Sequence, residues 1–153
     1  MGKSYLTDAE LKFLEELGRL RVKFMVVGMS AAVIQGSNGV TKDVDLWFSS
    51  LSDPKIDKAA RSAGGRFSYH AAPLMLSGPN LDNIDVLWSC IGLRDFDEEY
   101  ANAVKADFFG VAVKVLPLDR IIVSKKASGR SKDKIAIPHL KAALVANRAR
   151  KSK

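Results

Sequence analysis

The stretch Thr41 to Phe48, reading T-K-D-V-D-L-W-F, constrains the fold more than any other part of the chain. In a strand, residues two apart share a face, so Asp43 and Asp45 project together while Val44, Leu46 and Phe48 point to the opposite side. One face belongs to a core, and the other presents paired carboxylates. Asn83 to Trp88 repeats the pattern, with Ile84, Val86 and Trp88 on an apolar face and Asp85 on the other. Trp88 is therefore expected in the core. If the two strands are neighbours, about 4.8 Å apart, Asp85 reaches the same point as the first two aspartates.

The remaining elements follow from periodicity and punctuation. Thr7-Asp8-Ala9-Glu10 has the form of a capping box, and Leu11, Phe13, Leu14, Leu17 and Leu20 follow at helical spacing. Lys23 to Val27 reads as a buried strand ending at Gly28, and Ser30 to Gln35 as a helix closed by Gly36. Asp53-Pro54 opens a helix that stops at Gly64-Gly65. Phe67 to Ala72 is a further strand candidate, and a turn falls at Ser77-Gly78-Pro79-Asn80. Asp97 to Lys105 is expected to be a short helix and Val111 to Leu116 a strand. Pro117 opens a helix to Ser128 that Gly129 ends, and a last helix is expected over Pro138 to Arg148, with Pro138 in its first turn. The order predicts an α+β fold, a small mixed β-sheet flanked by helices. With 153 residues and 47% hydrophobic composition, one domain over residues 1–147 is expected, followed by a basic tail over 148–153.

Met1 to Glu10 is polar and carries no signal-peptide pattern, and no apolar run is long enough for a membrane span, so a cytoplasmic protein is expected. The single cysteine, Cys90, makes no internal disulfide and gives no zinc signature, and reads as a small buried hydrophobe. His70 and His139 lack ligand spacing. The formal charge of +7 is unevenly placed, because Arg120 to Lys153 holds 11 basic residues and 1 acidic. Such asymmetry fits an anionic partner, either nucleotide phosphates or RNA, and equally a solvated basic helix end. Oligomeric state is not legible.

Three carboxylates meeting at one point repel one another unless a cation neutralises them, and oxygen-only ligands favour Mg2+ or Mn2+. Such an ion bridges the phosphate oxygens of a nucleoside triphosphate and orients in-line attack on phosphorus. Asp95-Phe96-Asp97 has the same spacing but precedes Glu98 and Glu99 at an expected helix start, where carboxylates cap amides. Gly28 followed by Ser30 at a strand-to-helix turn is compatible with a phosphate cradle, or with a plain turn and cap. Trp47 falls on the aspartate face, where it either stacks a base or packs under a loop.

Val27-Gly28-Met29-Ser30, ten further residues, then Thr41-Lys42-Asp43-Val44-Asp45-Leu46 resembles the glycine/serine turn and Asp-x-Asp strand of the polymerase-β-like nucleotidyltransferases, in particular small bacterial nucleotidyltransferase-like proteins. Asn83-Ile84-Asp85-Val86-Leu87 matches the strand that bears the third carboxylate. Leu118 to Ile122, Lys125 and Gly129-Arg130-Ser131-Lys132-Asp133 resemble the helix and basic turn near the end of that group. The resemblance implies transfer of a nucleotidyl group to a hydroxyl of a protein, RNA or small molecule. Asp43, Asp45 and Asp85 would be metal ligands, with Asp85 alternatively the base. Gly28, Ser30, Thr41 and Lys42 would contact the nucleotide, and Lys125, Arg130 and Lys132 its phosphates. Many small relatives act beside a partner protein in toxin–antitoxin pairs. The competing expectation is a catalytically silent nucleotide- or RNA-binding module. The sequence departs from the resemblance at Met29, where a second glycine or serine is common, and at Gly39, where an arginine is frequent.

Overall fold

In the computed structural model, residues 5–39, 41–69 and 75–151 are described. Helix α1, Asp8–Arg19, begins at the expected capping box. The Thr7 hydroxyl accepts the Glu10 N–H at 3.1 Å, and the Glu10 carboxylate accepts the Thr7 N–H at 2.9 Å. Phe13, Leu14 and Leu17 bury the helix's inner face. Strand β1, Phe24–Val27, is buried along its whole length and leads straight into α2, Gly28–Ile34, which starts two residues earlier than the pattern suggested.

Strand β2, Val44–Phe48, pairs antiparallel with β1 and is shorter than expected. Its ladder opens with the Val44 N–H donating to the Asn83 carbonyl at 2.7 Å. Thr41 to Asp43 stay outside because the Thr41 hydroxyl donates to the Asp43 carbonyl at 3.0 Å, a local bond that competes with a ladder. Helix α3, Pro54–Ser62, is capped by Asp53, which accepts the Lys55 N–H at 2.9 Å. Strands β3, Arg66–Ser68, and β4, Met75–Ser77, form a separate antiparallel pair. The expected strand thus begins at Arg66, and its part over His70 to Ala72 lies outside the described residues.

Strand β5, Ile84–Leu87, runs parallel to β2 at the sheet edge. Trp88 is not core: it is 72% exposed. The strand ends at Leu87, and the Trp88 carbonyl accepts the Trp47 indole N–H at 3.1 Å instead of a ladder bond, so the alternation stops one residue short. Helix α4, Phe96–Ala101, is followed by strand β6, Val104–Phe108, where a longer helix was expected. Phe109 and Gly110, at φ 51 and 91, make a two-residue turn that pairs β6 antiparallel with β7, Val111–Val115. This hairpin takes Val104 and Lys105 out of the helix.

Helix α5, Leu118–Ser128, ends as expected on Gly129 in the left-handed conformation. Helix α6, Ser131–Lys151, starts seven residues before the expected point and carries Pro138 in its interior. Pro138 is exposed, so the carbonyl it frees can face water, while the buried Asp133 anchors the first turn. The basic segment from Arg148 to Lys151 is the end of this helix, where Arg150 bonds to Asn147. The main sheet has the order β5-β2-β1-β7-β6 with mixed pairing, an α+β fold as expected. Helix α1 packs on α3 and β7, while α2 packs on β1, β2 and α5. Among the described residues, no helix is long and apolar enough to cross a membrane.

Candidate active site

The register aligns Val27, Asp45 and Asp85 across β1, β2 and β5. Gly28 follows Val27 at φ +67, and a Cβ there would lie 2.5 Å from the Asp45 Oδ2. Glycine is thus needed twice, for the left-handed backbone and for the approach of a carboxylate. The position of Asp85 is set from behind. Glu10 is fully buried and accepts the Asn83 N–H at 2.6 Å, so the residue that caps α1 also pins the entry of β5. Burial, and then the charge of the adjoining Asp85, push the Asp45 carboxyl up to about 6, with Lys125 opposing and Asp43 adding a smaller push.

A cleft of about 720 Å³ opens over this pair. Of the residues expected in the site, Gly28, Thr41, Asp43, Asp45, Asp85, Lys125, Arg130 and Lys132 line it together. Two do not. Ser30 is buried and its hydroxyl donates to the Val27 carbonyl at 3.2 Å, while Lys42, between two lining residues, is exposed and does not line the cleft. Asp43 joins from the loop before β2 and is exposed, so it does not share a strand face with Asp45. Among the described residues no three carboxylate, imidazole or thiol groups stand ready as a metal-binding set. The donor chemistry nonetheless fits a hard divalent cation at the Asp45–Asp85 pair, because the repulsion between two adjoining carboxylates is relieved by one.

Asp133 is the residue that sequence reasoning missed. It is fully buried, and its carboxylate accepts Lys125 Nζ at 3.0 Å, Arg130 Nε at 2.7 Å and Arg130 Nη2 at 3.3 Å. Burial raises its pKa, but the hydrogen bonds from Arg130, Ser128 and Lys125 outweigh that and hold it far below the usual carboxylate range. Lys125 and Arg130 are thus not free helix-end cations. A single carboxylate fixes both at the cleft. The signal was present, since Asp133 is the lone acid among the 11 bases of Arg120 to Lys153.

Three further features shape the surroundings. The Met29 Cε lies 3.3 Å from where a Gly39 Cβ would stand, so the two departures from the resemblance are one packing unit: the methionine occupies space that a side chain at position 39 would take. Trp47 is buried and packs edge-on to Phe96, with centroids 5.4 Å apart, which gives it a packing role under the α4 segment. Burial and the charges of Asp43 and Asp45 push the Tyr5 phenol up to about 12, and its hydroxyl has no partner among the described residues. As expected, Asp95 is a cap, accepting the Glu98 N–H at 3.0 Å.

Solved structures of nucleotidyltransferases carry the same fold, a mixed sheet flanked by helices. A lincosamide antibiotic adenylyltransferase, LnuA, with lincomycin bound, superposes with a TM-score of 0.60 at 16% identity, covering 90% of this chain and 98% of that one. ANT(2")-Ia in complex with adenylyl-2"-tobramycin gives 0.51 at 13% identity, covering 90% and 88%. An antigenic nucleotidyltransferase-like protein from Paracoccidioides brasiliensis gives 0.52 at 15% identity, covering 92% and 78%. No protein-family model matches the chain, and no curated protein sequence matches it.

Proposed function

We propose that the chain transfers a nucleoside monophosphate from a nucleoside triphosphate to the hydroxyl of a small acceptor. The observation that carries this reading is the register-paired Asp45 and Asp85 facing Lys125 and Arg130 across one cleft. Asp45 and Asp85 would hold Mg2+ or Mn2+, with Asp43 within reach on its loop. When bound, the cation offsets charge on the phosphates and on the departing pyrophosphate. Lys125 and Arg130, held by Asp133, and Lys132 beside them bind the phosphate oxygens, and Thr41 and Gly28 edge the nucleotide. The acceptor oxygen bonds to the α-phosphorus, the bond to the pyrophosphate oxygen breaks with its electron pair, and the hydroxyl proton is released to water.

A small acceptor is favoured by likeness of fold to structures that hold small molecules, an adenylyltransferase with lincomycin bound and ANT(2")-Ia with adenylyl-2"-tobramycin.

Calorimetric titration with ATP, GTP, CTP and UTP, with and without Mg2+, tests the reading. Magnesium-dependent binding that Asp45→Asn/Asp85→Asn abolishes is expected. Absence of such binding in the native chain would sink it and leave the silent-module reading.

A further inference from the structure

The cleft also carries information about the acceptor, given the reading above. Its acids are Asp43, Asp45 and Asp85, and its cations Lys125, Arg130 and Lys132. Once these serve the metal and the phosphates, every other described residue lining it is uncharged. What remains for a second substrate is a wall of Leu87, Ser89, Cys90 and Ile91, with Ser124 of α5 beside it.

This wall is built rather than loose. The Trp47 indole N–H holds the Trp88 carbonyl at 3.1 Å. Gly92, at φ +78, lies so close to α5 that a Cβ would be 2.4 Å from the Ala127 Cβ. Between those two fixed points Ile91 stays 65% exposed while lining the cleft. The acids on that flank, Asp95 and Asp97, lie in the adjoining depression around Trp47 and Trp88, and Asp95 is engaged as the α4 cap.

We propose that the acceptor is an electrically neutral hydroxyl compound with an apolar or aromatic face, seated on the Leu87 to Ile91 wall. A polyamine would meet three cations and find carboxylates already committed to the metal. An RNA acceptor would need cations already committed to the triphosphate. The neutral wall offers van der Waals contact and hydroxyl partners, so the acceptor oxygen reaches the α-phosphorus as pyrophosphate leaves, without a charge partner of its own.

The test uses the full chain with Mg2+, labelled nucleoside triphosphates and three probes: phenyl β-D-glucoside, tobramycin and a short single-stranded RNA. Transfer to the glucoside is expected to exceed transfer to the others. Ile91→Glu, at an exposed position, is expected to lower kcat/KM for the glucoside by about tenfold and to raise it for tobramycin. The acceptor KM should move more than the triphosphate Kd. If magnesium-dependent triphosphate binding is intact but tobramycin or RNA is preferred, no probe is modified, or Ile91→Glu leaves the ratio unmoved, this proposal is overturned and the transferase reading stands. If triphosphate binding itself is missing, both fall.

Discussion

Asp45 and Asp133 are both inward-facing aspartates beside the same cleft, and their surroundings push them in opposite directions. Asp133 has Lys125 and Arg130 on its oxygens and is held ionised far below the ordinary range. Asp45 has a second carboxylate beside it and only the more distant pull of Lys125, and burial carries it up to about 6. A satisfied buried ion cluster is a structural device, whereas a pair of like charges is tolerated where something else is to supply the opposite charge. The contrast separates the clamp from the site it serves.

The sharpest way to break this contrast is to neutralise each side in turn. Asp45→Asn/Asp85→Asn is expected to lower nucleotidyl transfer by roughly 10³-fold or more, several kcal/mol of transition-state stabilisation, without lowering Tm. A lower Tm with transfer intact would make the pair structural. Asp133→Asn should do the reverse, costing about 3 kcal/mol in urea denaturation, because two cations lose their partner, and weakening triphosphate binding as a secondary effect. Its pH signature has a definite sign. The folded pKa lies below the unfolded value of about 3.9, so the native chain keeps this stabilisation above about pH 4 and loses it as pH falls further. The variant should lack that part of the acid slope.

Smaller effects sharpen the same comparison. Gly28→Ala forces a side chain into the left-handed region and against Asp45, so a loss of about 1–2 kcal/mol is expected, with transfer falling as the carboxylate is displaced. A variant of native stability with reduced transfer would assign the glycine wholly to the site. Tyr5→Phe removes a buried hydroxyl that has no partner among the described residues, and stability should stay level or rise by about 1 kcal/mol in thermal melts. A fall in transfer with that variant would enlist the phenol in the chemistry.

Where the sequence was legible, one local rule sufficed. Alternation placed Asp45 and Asp85 each opposite the apolar face of its own strand, and the Thr7 to Glu10 box marked α1, because each is decided within a few residues; that the two strands are neighbours was only a condition. The misreadings came where a longer-range or competing bond decided. Trp88 continues the alternation of β5 on paper, but its carbonyl belongs to Trp47. Asp43 lost its strand to the hydroxyl of Thr41, and Val104 left a helix because Phe109 and Gly110 turn it back along β7. Pro138 looked like a helix start because proline is costly inside one, yet the Asp133 anchor begins α6 earlier. The glycine turn was found at Gly28, while Ser30 looked inward to the Val27 carbonyl. The role of Asp133 was hidden in plain charge arithmetic, since an acid among bases reads as solvated surface until its burial is known.

The closeness of Met29 to the open side of Gly39 sets what a side chain at position 39 would have to displace. A Cβ there would stand 3.3 Å from the Met29 Cε, the free end of a flexible side chain, so a larger residue asks that methyl to give way slightly rather than the backbone. Because Met29 also lines the cleft, the room a nucleotide finds at its mouth is tied to what stands at position 39.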